Sequence, residues 1–339
     1  MKSCKLSSVN TPSNRIIKLF SVLFIFALAI SACSDPSAGG VTGTVSINFS
    51  GSGSRSVDKI PYPLNLASPE QQEMLEHRIV FSGNGRTLVF EAQKGATSYK
   101  ATVPAGTWNI EIKAYVKLQG VFLYAKGNNT LNVKAGQRNP VTVDMVRAFY
   151  QVGEEGPGGG IIFHTDPGGI VDPVTGEIYH YLEVAKADIP RSNVPGSTDF
   201  QWANPNSEAY GYIVGIKEDA EKGNVGAGRS NTALILAADP SAPAARACKD
   251  YKAPGSSQND WFLPSISELR ELVAWQKSSA ADGSANKGFT PLTGTYWSST
   301  QDQADATCAY VWNIASSSVN NEKTVLASVR PIRAFASEQ

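Results

Sequence analysis

Catalysis needs a nucleophile with a base, a metal cage or a pair of acids, and this 339-residue chain offers few side chains for any of them. Its three histidines, His77, His164 and His180, show no His-x-x-x-His or His-Glu-x-x-His spacing. A zinc site would therefore have to be assembled from distant loops. Ser265 and Ser298 lack a local nucleophile motif, and Ser265 already has a role as a helix cap. The run Val152-Gly153-Glu154-Glu155-Gly156-Pro157-Gly158-Gly159-Gly160-Ile161-Ile162-Phe163 invites a phosphate-binding reading. A phosphate cradle, however, places its glycines between a strand and a helix N-terminus. Here the glycines precede a strand, no Gly-Lys-Ser/Thr follows, and Glu154 and Glu155 would repel phosphate. No catalytic residue, metal or cofactor is expected.

The chemistry that the sequence does announce is covalent and lies near the start. Lys2, Lys5, Arg15 and Lys18 stand without acidic neighbours, Leu19 to Ile30 is almost continuously apolar, and Ile30-Ser31-Ala32-Cys33 closes the run with small residues. That is the pattern of a bacterial export signal. The tetrapeptide resembles the lipobox of bacterial lipoproteins, which implies cleavage after residue 32 and a diacylated Cys33. Each buried methylene contributes ~0.8 kcal/mol, so two or more chains make a durable anchor. The expectation is a chain held on the bacterial cell envelope by lipid on Cys33, at the outer membrane or cell surface, with residues 33–40 as a flexible tether.

Lys plus Arg and Asp plus Glu are equal over the whole chain, at 30 each. Removing the four cations of the signal leaves a net charge of about −4, with no basic stripe to draw in nucleic acid. Roughly 300 residues would remain, enough for two domains. Two cysteines, Cys248 and Cys308, would remain besides Cys33, and outside the cytoplasm they could form one disulfide.

Residues 41–146 alternate with period two. Val41, Gly43, Val45, Ile47 and Phe49 share one face of a strand, as do Trp108, Ile110, Ile112, Ala114 and Val116. Similar runs at 78–81, 87–91, 99–103, 122–125, 130–133 and 141–145 are separated by turn formers such as Gly83-Asn84-Gly85 and Lys126-Gly127-Asn128. The expectation is an all-β, immunoglobulin-like sandwich, then a linker at 147–151.

Beyond the linker the character changes. Ser265-Ile266-Ser267-Glu268 is a capping box that should start a helix. Leu269, Leu272 and Val273 would turn inward, while Glu268, Arg270 and Glu271 stay wet. An earlier helical stretch, 232–238 and 244–251, is broken by Pro240 and Pro243.

Several motifs occur in order: Gly-Pro-Gly-Gly-Gly-Ile-Ile-Phe at 156–163, Tyr181-Leu182-Glu183-Val184-Ala185, Trp202, Gly226-Ala227-Gly228-Arg229-Ser230-Asn231-Thr232, Asp260-Trp261-Phe262-Leu263-Pro264-Ser265, Tyr296-Trp297-Ser298-Ser299-Thr300 and Val329-Arg330-Pro331-Ile332-Arg333-Ala334-Phe335. The series over 152–336 resembles the Lcl C-terminal domain family, named for the terminal domain of a bacterial collagen-like adhesin. The resemblance implies an α+β, C-type-lectin-like domain, related in fold to sulfatase-modifying factors. Trp261, Trp297 and Arg330 would then be structural. Cys248 matches a helix cysteine that in lectin-like domains bridges to a strand, so a Cys248–Cys308 disulfide is the favoured reading; two buried thiols and a catalytic cysteine pair are the alternatives. A bridge would close roughly 60 residues and remove about 4 kcal/mol of unfolded-chain entropy. Asn204-Pro205-Asn206 and Trp312-Asn313-Ile314 approach the calcium motifs of C-type lectins but lack the acids that calcium demands.

Ligand-facing side chains are expected on loops 202–212, 253–259 and 301–321, with Trp202, Asn204, Tyr210, Asp302, Asp305 and Asn313 as candidates. The function implied is non-catalytic binding or adhesion toward glycans or extracellular proteins. A structural envelope protein without a soluble ligand, or a cysteine-dependent oxidase related to formylglycine-generating enzymes, are the alternatives.

Overall fold

The computed structural model describes residues 41–50, 73–117, 121–190, 197–216, 225–282 and 287–338. Cys33, the export signal and the tether lie outside the described residues. The protein is mostly β-sheet, with three short helices, and no helix among the described residues is long and apolar enough to cross a membrane.

The first eight strands are β1 (Thr42–Ser50), β2 (Glu76–Gly83), β3 (Arg86–Ala92), β4 (Ser98–Pro104), β5 (Gly106–Lys117), β6 (Val121–Val133), β7 (Arg138–Asp144) and β8 (Val146–Arg147). They form two sheets, ordered β4-β1-β7 and β3-β2-β5-β6-β8. All pairings are antiparallel except β1 with β7, which is parallel. The period-two faces close on one another as their spacing requires: Val45, Ile47 and Phe49 of β1 share a core with Ile79 and Phe81 of β2 and Trp108, Ile110 and Ile112 of β5. Each large side chain buried there contributes roughly 1.5–3 kcal/mol.

One turn expectation fails. Lys126-Gly127-Asn128 does not reverse the chain but lies within the single 13-residue strand β6. Glycine is required at 127 for proximity, since a Cβ there would stand 2.5 Å from the Asp144 carbonyl oxygen.

The later elements are β9 (Ile161–Val171), β10 (Ile178–Val184), β11 (Asp199–Phe200), α1 (Gly228–Ala238), α2 (Pro243–Asp250), α3 (Ile266–Asp282), β12 (Thr295–Gln301), β13 (Cys308–Asn313), β14 (Ser318–Glu322), β15 (Ala327–Ser328) and β16 (Ile332–Phe335). They build a sheet β16-β10-β9 and a sheet β11-β15-β12-β13-β14. The break between α1 and α2 falls at the two prolines, with Pro243 in the first turn of α2. That position is favourable because the missing N–H would be unpaired anyway. Helix α3 opens on the capping box: the Glu268 N–H donates to Ser265 Oγ (3.2 Å) and the Ser265 N–H to Glu268 Oε2 (2.7 Å). Leu269, Leu272 and Val273 are buried. Glu268, expected on the wet face, is buried too, because its other oxygen accepts the Gly226 N–H (3.0 Å) just ahead of α1.

The stretch 147–151, read above as a linker, is packed. Arg147 pairs with Glu154 at 2.5 Å and lies over the Phe149 ring. Phe149 and Tyr150 border the first core, to which Ile162 and Tyr181 of the later sheet also belong. Phe122 of β6 meets His180 and Tyr181 at ring distances of 5.3 and 5.7 Å, and Tyr181 stacks on Phe335 at 4.9 Å. The Leu123 N–H donates to Ser337 Oγ (2.9 Å), and the Ser337 N–H donates to His180 Nδ1 (3.0 Å). The described residues accordingly form one compact unit.

His77 illustrates the cost of a polar ring in the first core. It stacks on Phe49 with ring centroids 4.6 Å apart, and burial pushes its pKa down to about 4. Between about 4 and the ordinary value near 6.5, the unfolded chain binds a proton that the folded chain does not, so stability rises with pH across that window. Acidification from above 6.5 to about 4 should remove on the order of 3 kcal/mol through this group. Urea midpoints at both ends of the window check it: the wild type should fall further than His77→Phe.

Candidate functional site

Two of the three expected loops come together, and a residue from neither holds them. Lys323 follows β14 with no exposed surface. Its Nζ donates to the carbonyls of Ala209 (2.9 Å) and Gly211 (2.8 Å), and lies 4.4 Å from the centre of the Trp202 ring. The Lys323 carbonyl in turn accepts the Trp202 N–H (2.8 Å), and the Lys323 N–H donates to the Thr307 carbonyl (2.9 Å). One lysine thus fastens loop 202–216 and loop 302–307 to the β13–β14 hairpin. Burial pushes its pKa down to about 8, against the opposing influence of Cys308 and Asp305.

The clamp is reinforced along its length. Gln301 holds Ile213 by both edges of its amide, donating to the Ile213 carbonyl (2.6 Å) and accepting the Ile213 N–H (3.1 Å). Tyr210 donates to Glu322 (2.9 Å) and Tyr212 to Gln303 (2.5 Å). The surface so fixed exposes half of Tyr212, 78% of Val214, and the carboxylates of Glu208, Asp305 and Glu322. Rigid aromatic and apolar contacts beside acceptor oxygens suit recognition of a polar ligand or a protein surface.

The named candidates divide accordingly. Trp202 is fully buried, its indole N–H donating to the Ser298 carbonyl (2.8 Å), so it forms the floor of the site and does not face ligand. Asp302 is likewise buried: it accepts the Ala304 N–H (2.8 Å) and an Asn320 amide N–H, which turns it inward to shape the loop. Asn204 is half-buried, and its carbonyl accepts the Ser207 N–H in a turn. Tyr210 and Asp305 reach the surface. Asn313 sits at the far end of β13, about 17 Å along the strand from Cys308, and bonds Thr295 and Ala315. Lys323 escaped the sequence reading because its carbonyl partners lie 112 and 114 residues away and its neighbours Glu322 and Thr324 carry no motif.

Loop 253–259 belongs to a different place, beside the glycine-rich run. Glu183 of β10, fully buried, accepts the N–H groups of Gly158 (3.1 Å) and Gly160 (2.6 Å), and Arg333 completes it at 3.3 Å. Arg333 also bonds Asp260 and reaches Gln258. The anion cradled by these glycines is thus the chain's own carboxylate. A Cβ at Gly160 would lie 2.2 Å from the Val184 carbonyl oxygen, and one at Gly156 2.6 Å from the Glu183 carboxyl carbon. Burial raises the Glu183 pKa, opposed by the two N–H groups and Arg333.

The cysteine pair is corrected: both thiols are free. Cys248 points into a core shared with Ala309 and Val311 of β13. Strand alternation places Cys308, beside Ala309, on the opposite face. Burial pushes both thiols above their ordinary pKa, Cys248 strongly. Trp261, Trp297 and Arg330 are buried as structural residues, with Arg330 bonding Asp188 (2.6 Å) and the Thr290 carbonyl (3.0 Å). His164 lies 3.8 Å from Glu271, while His180 belongs to the aromatic seam. Among the described residues, no group of three or more His, Cys, Asp or Glu side chains gathers as for a metal.

Replacing Lys323 with Met keeps the apolar stem but removes the donor from the loop carbonyls. The expected loss is about 2–4 kcal/mol of stability, together with faster proteolytic cleavage within 202–216. Denaturant titration and mass-mapped limited proteolysis measure the two effects; unchanged cleavage would show that the lysine does not hold the loop.

Comparison with curated proteins and with solved structures finds no match. A family match covers the site itself but not the glycine-rich run or β10. Over residues 195–333, the C-terminal half of this chain matches the Lcl C-terminal domain family.

Proposed function

We propose that this chain is a lipid-anchored binding protein of a bacterial cell envelope, displaying the loop surface around Tyr210, Tyr212 and Asp305 to glycans or extracellular proteins. The observation that carries the proposal is the clamp at Lys323. A buried cation and the Gln301 amide hold irregular loops in one conformation, and preordered loops on a rigid scaffold lose little entropy on binding. The proposal includes an immunoglobulin-like form for the first two sheets and a C-type-lectin-like form for the later ones. Two facing sheets around one core support the former, and three helices against short, irregular sheets support the latter. The motif at 30–33 supports the anchor on Cys33 and a place at the outer membrane or cell surface.

The oxidase reading has less support. A redox pair needs accessible thiolates, whereas here burial raises both thiol pKa values, and Cys248 of α2 packs with Ala309 and Val311, on the face of β13 opposite to Cys308. The acidic groups at the surface, Glu208, Asp305 and Glu322, also favour neutral or basic partners over sulfated polymers.

Glycan and matrix-protein arrays test the proposal. Tyr212→Ala combined with Asp305→Ala should weaken the strongest interaction about tenfold or more in a chain that still unfolds cooperatively, and Cys33→Ser should move the protein out of the membrane fraction. Undiminished binding by the double variant would contradict the loop assignment; unchanged fractionation by Cys33→Ser would contradict the anchor.

A further inference from the structure

The outer face of the sheet β4-β1-β7 gathers two cations where acids are nearly absent. Strand alternation turns Lys100 and Thr102 of β4, Thr44 and Ser46 of β1, and Arg138 of β7 away from the first core. Two depressions of about 380 and 560 Å³ lie on this face, and they adjoin because Ser46, Lys100 and Arg138 line both. Ile47, Tyr99 and Val141 border the larger one, but their side chains belong to or pack against the first core. The one acid of the three strands, Asp144, ends β7 about 20 Å along the strand from Arg138. None of these residues falls within the stretch matched by the family.

The register brings the two cations together. Ser46 stands directly opposite Lys100, and Thr44 opposite Arg138. Arg138 leans along the face, its Nε donating to Ser46 Oγ (3.2 Å), so the guanidinium lies beside the residue that Lys100 neighbours. Cβ atoms of directly opposite residues are about 4.5–5.5 Å apart. Lys100 and Arg138 are both exposed, and neither pairs with a carboxylate among the described residues. The terminal guanidinium nitrogens and the Lys100 ammonium likewise find no hydrogen-bond partner there. Two like charges side by side repel, whereas an oxyanion between them would convert the repulsion into charge-assisted hydrogen bonds. The Ser46 hydroxyl accepts from Arg138 and keeps its own hydrogen for the same oxyanion, and Thr44 and Thr102 add exposed hydroxyls alongside.

A phospholipid headgroup and a sulfated or phosphorylated polymer share this chemistry, and the length of chain ahead of β1 favours the headgroup. Eight residues, 33–40, separate the cysteine proposed as the lipid anchor from Val41. At 3.3–3.6 Å per residue they reach at most roughly 30 Å. The smaller depression begins at Thr42, the first residue of β1. So short a tether would hold the face beside the bilayer at an effective concentration on the order of millimolar, where even two weak charge contacts count. We infer that the outer face of β4-β1-β7 rests on the phosphate headgroups of an anionic bilayer through Lys100 and Arg138. The inference depends on the anchor at Cys33 proposed above for its choice of headgroup over polymer.

Co-sedimentation with vesicles of the full chain carrying Cys33→Ser reads the face without acyl chains. The readout is partition onto phosphatidylcholine vesicles containing about one-third phosphatidylglycerol, divided by partition onto phosphatidylcholine alone, so that apolar contributions cancel. Each cation near an anionic surface is worth about fivefold. Lys100→Gln with Arg138→Gln should therefore lower the ratio roughly 25-fold, whereas the charge-retaining pair Lys100→Arg with Arg138→Lys should preserve it. An unchanged ratio in the glutamine pair, or an equal fall in the charge-retaining pair, would overturn the inference. So would a ratio near one in the parent chain, and retardation of that chain by dextran sulfate in a gel would then reassign the cations to a soluble polymer. Cell fractionation of Cys33→Ser reads the anchor separately, so failure of the anchor and failure of the face are told apart.

Discussion

A charge taken out of water must find its partners inside the protein, and that requirement organises the later half of this molecule. Lys323, Glu183, Glu268, Arg330 and Arg333 are all buried. Each gathers groups from segments far apart in sequence: Lys323 the carbonyls of 209 and 211, Glu183 the amides of 158 and 160, Glu268 the amide of 226, Arg330 Asp188 and the carbonyl of 290, and Arg333 Asp260. Strands of two to seven residues, as in β11 to β16, bury too little surface on their own to fix long connections. The buried charges supply the positional information that longer elements would otherwise provide.

The same logic separates what was legible in the sequence from what was not. Alternation over Val45, Ile47 and Phe49 and the capping box at Ser265 were readable, because each depends on residues within one turn or one strand. Gly127 was misread because a glycine at a close backbone approach looks, in sequence, like a glycine in a turn. Glu268 looked like a surface acid, since its burial depends on the Gly226 amide 42 residues away. The bridge between Cys248 and Cys308 was what the family resemblance implied, but the face each side chain takes is decided by strand register. Two of the three expected loops come together, with Trp202 and Asp302 buried beneath them.

The seam gives these local arrangements a common frame. Tyr181 and Glu183 are two apart on β10; the first packs against Phe122 and Phe335, and the second binds the glycine-rich run. One strand thereby joins the first core to the charge network of the later half. The stretch 147–151 is thereby packed between the first core and the later sheet.

Native-state hydrogen exchange on the full chain tests the central claim most directly, that buried charges and amides hold these loops rigid. The N–H groups of Gly158, Gly160 and Gly226, bonded to buried carboxylates, and of Ile213, bonded to Gln301, lie outside regular strands and helices. The account predicts that these amides exchange as slowly as those of β5 and β10. Exchange at open-chain rates, with the strands still protected, would contradict it.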